Sequence, residues 1–253
     1  MPNTKAMLFA LTARHPSISV QDFDQWYDTR HAPSRAACPG VHSVSRFEAV
    51  NDVSAQKEEA LKASDGAMSA HVSKEGEWQW VAIYELDSED ALKTDEYKKA
   101  READGDDETK MFDFLSRRVY SLISDQRCKD YEQKVTTGMR YIAMNSFQPE
   151  DTSEQDFHDW YEQEHIPMLS KVPGWLRSSR WQLTDARDPR RWEEVQTSNV
   201  AKYLALHEVE DADAVYASEQ LQAAVSTPWR NEVIAGCDKV KEEGRLLKLW
   251  KQF

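Results

Sequence analysis

One pattern is written twice in this chain and limits what it can fold into. Asp22-Phe23-x-x-Trp26-Tyr27-x-x-x-His31-x-Pro33 returns as Asp156-Phe157-x-x-Trp160-Tyr161-x-x-x-His165-x-Pro167. The copies stand 160 − 26 = 134 residues apart. The same register pairs Pro39-Gly40 with Pro173-Gly174 and Arg46 with Arg180, so the likeness runs well past one helix. Solenoid units repeat every 20 to 50 residues or so, whereas a period of this length marks two related domains in one chain.

Length allows that division. The 253 residues suffice for two cores, since domains of about 100 to 150 residues bury enough apolar surface to stand alone. The formal net charge of −13 and pI near 5.0 argue against general binding to nucleic acid or anionic lipid, because phosphate-rich partners need a basic face. Residues 1–11 lack the basic and apolar regions of a signal peptide, and no apolar run is long enough to span a bilayer. The expectation is a cytoplasmic protein with no membrane or nucleic-acid partner. Cys38, Cys128 and Cys237 are odd in number and without a CxxC pair, which fits reduced thiols rather than a disulfide frame or zinc site.

Apolar alternation predicts strands over 5–14, 41–50, 78–86 and 114–123, with helices from about 19 and over 88–103. The second half repeats this through strands over 138–147, 175–183, 201–209 and 245–253 and helices over 154–171 and 211–225. The order is βαββαβ twice: an α+β chain of two ferredoxin-like repeats, 1–125 and 136–253, joined by a short polar linker. Each sheet carries helices on one face and needs cover on the other, so the two sheets are expected to pack on each other. The polar stretch 51–77 lies outside this plan, and the acidic run 104–108 reads as a solvated turn.

The pattern F-x-x-W-Y-x-x-x-H-x-P, followed by P-G and a strand containing arginine, resembles the dimeric α/β-barrel superfamily, in particular its EthD-like branch. The resemblance covers both halves. It implies a tandem fusion in which the two repeats build, within one chain, the barrel that relatives assemble from two; a monomer is then expected. It also implies that His31 and His165, at the helix end, with Tyr161 in the cleft, are candidates for proton transfer. The superfamily includes polyketide cyclases, lactone isomerases, monooxygenases and haem enzymes, so fold does not fix chemistry.

Comparing the copies goes further. Met7, Phe9 and Leu11 align at the repeat spacing with Tyr141, Ala143 and Asn145, and Trp80, Ala82 and Tyr84 correspond to Tyr203, Ala205 and His207. The second copy loses bulk and gains polar groups, and a buried Asn or His without a partner costs on the order of 1 to 3 kcal/mol. We therefore place the principal site in the second half. His165, His207 and Tyr161, with His31, are the catalytic candidates; Tyr141, Asn145, Trp160, Tyr203 and Arg180 are the substrate-binding ones. Imidazole and phenol suit acid–base work near neutral pH. The expected function is a cofactor-independent lyase, cyclase or isomerase acting on a small aromatic or polyketide-like molecule. The alternatives are a non-catalytic small-molecule-binding or stress-response protein, and a cofactor-free monooxygenase. Each group also has a structural reading: histidines that bond helix-end carbonyls, tryptophans that fill the core, arginines that pair with carboxylates. No metal is expected; His158 and Glu162 are the one helical pair of metal-binding type, without a third ligand.

Overall fold

The computed structural model describes residues 4–50, 78–105, 107–188, 193–194, 200–238 and 243–253; the 51–77 stretch lies outside them. The first half contributes strands β1 (Ala6–Arg14), β2 (Val41–Ala49), β3 (Trp80–Leu86) and β4 (Phe112–Arg127). The second contributes β5 (Tyr141–Phe147), β6 (Trp175–Asp188), β8 (Tyr203–Val209) and β9 (Glu243–Gln252), with β7 (Glu193–Glu194) a two-residue addition to β6. Strand order is β4-β1-β3-β2 in one half and β9-β5-β8-β6 in the other, the same ferredoxin-like order twice.

The two sheets do more than pack. Antiparallel pairing of β2 with β9, and of β4 with β6, closes the eight long strands into one barrel. Closure consumes the outer edges of both sheets, which would otherwise present unpaired backbone groups. It is made possible by the length of β4 and β6, whose pairing runs from Arg117 opposite Arg187 to Arg127 opposite Arg177.

Alternation along the strands separates two environments. Met7, Phe9 and Leu11 point into the barrel with Phe47, Tyr120 and Trp181. Ala6, Leu8 and Ala10 point outward, under the helices, with Phe23, Trp26 and Tyr27. Full burial of such side chains contributes about 1.5 to 3 kcal/mol each before entropy is counted, so a one-residue slip in any strand would exchange core for core at heavy cost.

Helix α1 (Val20–Trp26) leads through a π turn (Tyr27–His31) into α2 (Ala32–Ala36), and the layer over the first half is completed by α3 (Asp95–Asp104) and α4 (Asp107–Met111). The polar linker contains a helix, α5 (Tyr131–Thr137). In the second half α6 (Glu154–Trp160), a π turn (Tyr161–His165) and α7 (Ile166–Leu169) repeat the motif helix. The single helix expected over 211–225 is two, α8 (Ala212–Tyr216) and α9 (Glu219–Ala224), each started by its own cap, Asp211 and Ser218. A further helix, α10 (Pro228–Ala235), follows the Thr227 cap and Pro228, signals the alternation-based reading passed over. No helix among the described residues is long and apolar enough to cross a membrane.

Candidate functional site

The motif's spacing becomes a shape at the π turns. Pro33 and Pro167 cannot donate a backbone hydrogen bond, and their rings crowd the carbonyl four residues back. The helix widens just before them: Ala32 N–H bonds Tyr27 C=O, and Ile166 N–H bonds Tyr161 C=O, each spanning five residues. A five-residue turn brings residues five apart into register. Trp26 therefore sits over His31, ring centroids 4.7 Å apart, and Trp160 stacks on His165 at 4.5 Å. A uniform α-helix, as read from the sequence, would not stack these pairs.

In the second half the resulting cleft is a mainly apolar cavity between helices and sheet, with about 690 Å³ of free space counting its mouth. Leu169, Val172, Val215, Leu221 and Val225 form much of its apolar wall; Asn145, Trp160, Tyr161, His165 and His207 supply polar atoms, and Arg230 from α10 the one charge. The His165 and His207 rings meet edge to face at 5.7 Å, and Tyr161 lies parallel to His207 at 6.4 Å. Among the described residues, three buried atoms on this wall have no hydrogen-bond partner: His165 Nδ1, His207 Nε2 and Trp160 Nε1. The other nitrogen of each imidazole is held. The His165 ring bonds the Ala224 backbone; with Nδ1 unpartnered, the proton is on Nε2 and Nδ1 keeps its lone pair. His207 Nδ1 lies 2.9 Å from Ser178 Oγ.

Burial, followed by the charge of Arg180, lowers the His207 pKa to about 4. Burial, then His207 itself, holds His165 well below the ordinary imidazole value. Both rings are neutral at pH 7, fit to accept or donate a proton. Among the described residues the wall holds no carboxylate or thiol that could complete a metal's ligand set with them.

The first half uses the same positions differently. His31 Nδ1 is 2.8 Å from Asp104 and 3.9 Å from Glu108, while Arg35 reaches Asp104 at 2.7 Å and Glu108 at 3.1 Å. His31, Asp104 and Glu108 have the composition of a metal site, but the Arg35 guanidinium already stands between the carboxylates as their cation. Asp104, the first residue of the acidic run read as a solvated turn, is buried: α3 aims its last residue inward. Burial opposes its ionisation, but His31 and Arg35 hold its carboxyl below the usual range. Beside His31, Tyr27 and Tyr84 share a hydroxyl contact of 3.4 Å.

The sheet register corrects the copy comparison made from sequence. Tyr84 is paired with Leu8, and His207 with Ala143; Ala82 is paired with Ala10, and Ala205 with Asn145. The true counterparts of Ala143 and Asn145 are thus Leu8 and Ala10, while Met7, Phe9 and Leu11 face the barrel interior. The second half has one residue fewer between strand and motif helix, and a shift of one moves every side chain to the opposite face. Loss of bulk and gain of polarity hold with the corrected pairs.

Of the sequence-predicted residues, His165, His207, Tyr161, Trp160 and Asn145 come together on this wall, and His31 lies in the separate first-half cleft. Tyr141, Tyr203 and Arg180 lie off the wall. Tyr141 packs against the Leu169–Trp175 cluster and Tyr203 donates its hydroxyl to Glu154 at 2.7 Å. Arg180 donates to Glu162 at 2.9 Å and His158 at 2.6 Å, with its guanidinium 4.3 Å from the Tyr161 ring centre. This arginine occupies the two side chains that formed the only metal-type pair. Arg46 does the same in the first half through Asp24 and Asp28. Sequence reasoning missed Ser178, Trp175, Ala224 and Arg230, whose roles depend on cross-strand register and on α9 and α10.

No protein-family model and no curated protein matches the sequence. Solved structures do match over the whole chain. One is an anthrone oxidase-like protein: TM-score 0.57, 12% identity, 99% of this chain and 93% of that one. A candidate monooxygenase from Fusobacterium nucleatum gives TM-score 0.56 and 8% identity, covering 100% and 95% of the two chains. Another from Lactobacillus acidophilus gives 0.51 and 11%, covering 98% and 93%. The architecture is that of the dimeric α/β barrels. At these identities the likeness carries the fold and leaves the chemistry to the cavity.

Proposed function

We propose that the second-half cavity performs proton transfer on a small aromatic or polyketide-like molecule without a cofactor, as a lyase, cyclase or isomerase. The observation that carries this is the pair of neutral, buried imidazoles, each anchored through one nitrogen and unpartnered at the other, on a mainly apolar wall. His165 is the base: its Nδ1 lone pair takes a proton from an activated C–H or phenol. The charge left on the substrate moves to its carbonyl or phenol oxygen, and His207, with Tyr161 and the Trp160 indole N–H, lines the space where that oxygen sits. His165 then returns the proton to the enolate at another carbon, or the enolate closes on a second carbonyl within the same molecule and the new alkoxide takes the proton from His165; neither route needs a co-reactant. Such donors stabilise developing charge more strongly in a dry cavity than in water.

A cofactor-free monooxygenase is the second reading, supported by the same apolar wall and by the kind of protein named among the structural neighbours. Here O₂ is the co-reactant: a diaryl methylene loses two hydrogens and gains one oxygen atom as a ketone, and the other oxygen leaves as water. The motif's likeness to the EthD-like branch is compatible with both.

The test is incubation of the protein with anthrones, phenols and aryl β-keto acids in D₂O, under nitrogen and under air. Deuterium entry or rearrangement under nitrogen supports the first reading, and oxygen uptake with a ketone product the second. Retention of a probe with neither would leave a binding protein.

A further inference from the structure

We infer that Ser178 is a positioning residue that fixes His207 as a hydrogen-bond donor to the cavity, an assignment that rests on the proton-transfer reading of that site. Among the described residues Ser178 Oγ has two side-chain partners, Trp175 Nε1 at 2.9 Å and His207 Nδ1 at 2.9 Å. The indole N–H can only donate, so Ser178 Oγ accepts from Trp175. If His207 Nδ1 also donated to it, the serine's own proton would be left without an acceptor on a fully buried side chain. Every hydrogen-bonding atom from Trp175 Nε1 through Ser178 Oγ to His207 Nδ1 is satisfied in one arrangement: Trp175 donates to Ser178, Ser178 donates to His207 Nδ1, and the ring proton resides on Nε2. That nitrogen is the one without a protein partner, on a residue lining the cavity.

The register explains why only one half has this chain. Ser178 lies opposite His207 between β6 and β8, with Ala143 on the other side of His207. At the matching positions Tyr84 lies between Val44 and Leu8. The first half therefore lacks the imidazole and the serine hydroxyl that orients it together, so serine and histidine read as one unit. The consequence is a division of labour. His165 presents a lone pair and His207 presents an N–H, so the cavity takes a proton on one side and offers a hydrogen bond to an oxyanion on the other.

The test reads the tautomer directly, by long-range ¹⁵N–¹H NMR of the histidine rings in the full chain near neutral pH, with His207→Gln identifying the signal. The wild type is expected to show His207 with Nδ1 unprotonated and Nε2 protonated. Ser178→Thr, which keeps the hydroxyl, preserves this; Ser178→Ala and Trp175→Phe, which break the chain at different points, admit the Nδ1-protonated form. A wild-type ring protonated at Nδ1, or an unchanged tautomer in a folded Ser178→Ala or Trp175→Phe protein, overturns the assignment. Should the variants not fold, the wild-type spectrum alone decides. No substrate is needed, so a protein that turns over nothing in the panel still reports its tautomer; turnover with His207 protonated at Nδ1 would keep proton transfer and remove Ser178 from it.

Discussion

His31 and His165 occupy the same place in the same motif, on the same π turn, under the same kind of tryptophan, yet one is tied into a charge cluster and the other is left with an unpartnered nitrogen. The difference lies outside the motif. Asp104 and Arg35 take up His31, while no carboxylate among the described residues lines the cavity beside His165, whose ring bonds the Ala224 backbone. On the sheet, Leu8 and Tyr84 fill the first cleft where Ala143 and His207 open the second. The motif sets the backbone and the stacking; the residues across from it decide whether a histidine is tied into an ion cluster or keeps an unpartnered nitrogen among the described residues.

The largest effect that could break this contrast is on turnover. His165→Ala should lower the rate on any converted substrate by about 10²- to 10⁴-fold, the usual worth of a positioned general base, whereas His31→Ala should leave the rate within a few-fold of wild type by the same reasoning. Steady-state kinetics on both decides it, and equal losses would remove the asymmetry.

The complementary experiment is on stability. Asp104→Ala takes from His31 and Arg35 a buried carboxylate, leaving Arg35 with Glu108 as its ion-pair partner beside its bonds to the Ala100 carbonyl and Ser34. Removing one member of a buried ion pair typically costs 3–5 kcal/mol, and the surviving contact puts this case near the lower end, about 3 kcal/mol. In a chain of this length that is a fall in Tm of roughly 6 to 12 °C, read by calorimetry. His165→Gln, with no ion pair to break, should shift Tm less.

Acid should separate the halves as well. Unfolded histidine takes up a proton around pH 6.5, but folded His207 resists until about pH 4 because of its burial and Arg180. Between those values the unfolded state binds more protons, so stability falls as pH falls and is regained as pH rises. The full window is worth on the order of 3 kcal/mol from this ring. Urea unfolding across it should show a shallower pH slope in His207→Gln than in wild type. His31, lowered by burial but supported by its Asp104 hydrogen bond, should contribute less slope than His207. The ion-paired carboxylates Glu85 and Asp125, held below their ordinary values, release their contribution at lower pH, as they approach their unfolded values and below.

Much of this was legible before any coordinates. The repeat, the strand order and the Pro-Gly turns follow from spacing; His165, Tyr161 and Trp160 follow from the shared motif, and His207 and Asn145 from asking where the copies differ. What could not be read has physical causes. A one-residue difference in the strand–helix connection is invisible at a fixed repeat spacing but reverses a strand's faces. Asp104 sits in an acidic run that looks solvated, and only the rotation of α3 turns it inward. Ser178 and Trp175 are unremarkable in sequence, because Ser178 has its partner on the neighbouring strand and Trp175 acts through Ser178.

The smallest contrast tests whether the shared frame is equally tight in both halves. Cys38-Pro39-Gly40-Val41 and Val172-Pro173-Gly174-Trp175 are the same turn, closed by Val41 N–H to Cys38 C=O and Trp175 N–H to Val172 C=O, each 3.1 Å, with φ of 80° at both glycines. Proline at the second position and glycine with positive φ at the third define a type II turn. Alanine at either glycine pays for the left-handed backbone, about 1 to 2 kcal/mol. Beyond that the halves diverge: a methyl on Gly40 would lie 2.9 Å from the Ala91 Cβ, while one on Gly174 meets nothing closer than the Val215 Cγ2 at 3.8 Å. Ala91 lies in the 3₁₀ turn Glu89–Lys93 that leads to α3 and so to Asp104, so displacing it also strains the cluster that holds His31. Gly40→Ala should therefore unfold at lower urea than Gly174→Ala, by about 1 kcal/mol, the low end for overpacking; equal midpoints would mean that the first-half frame yields as easily as the second.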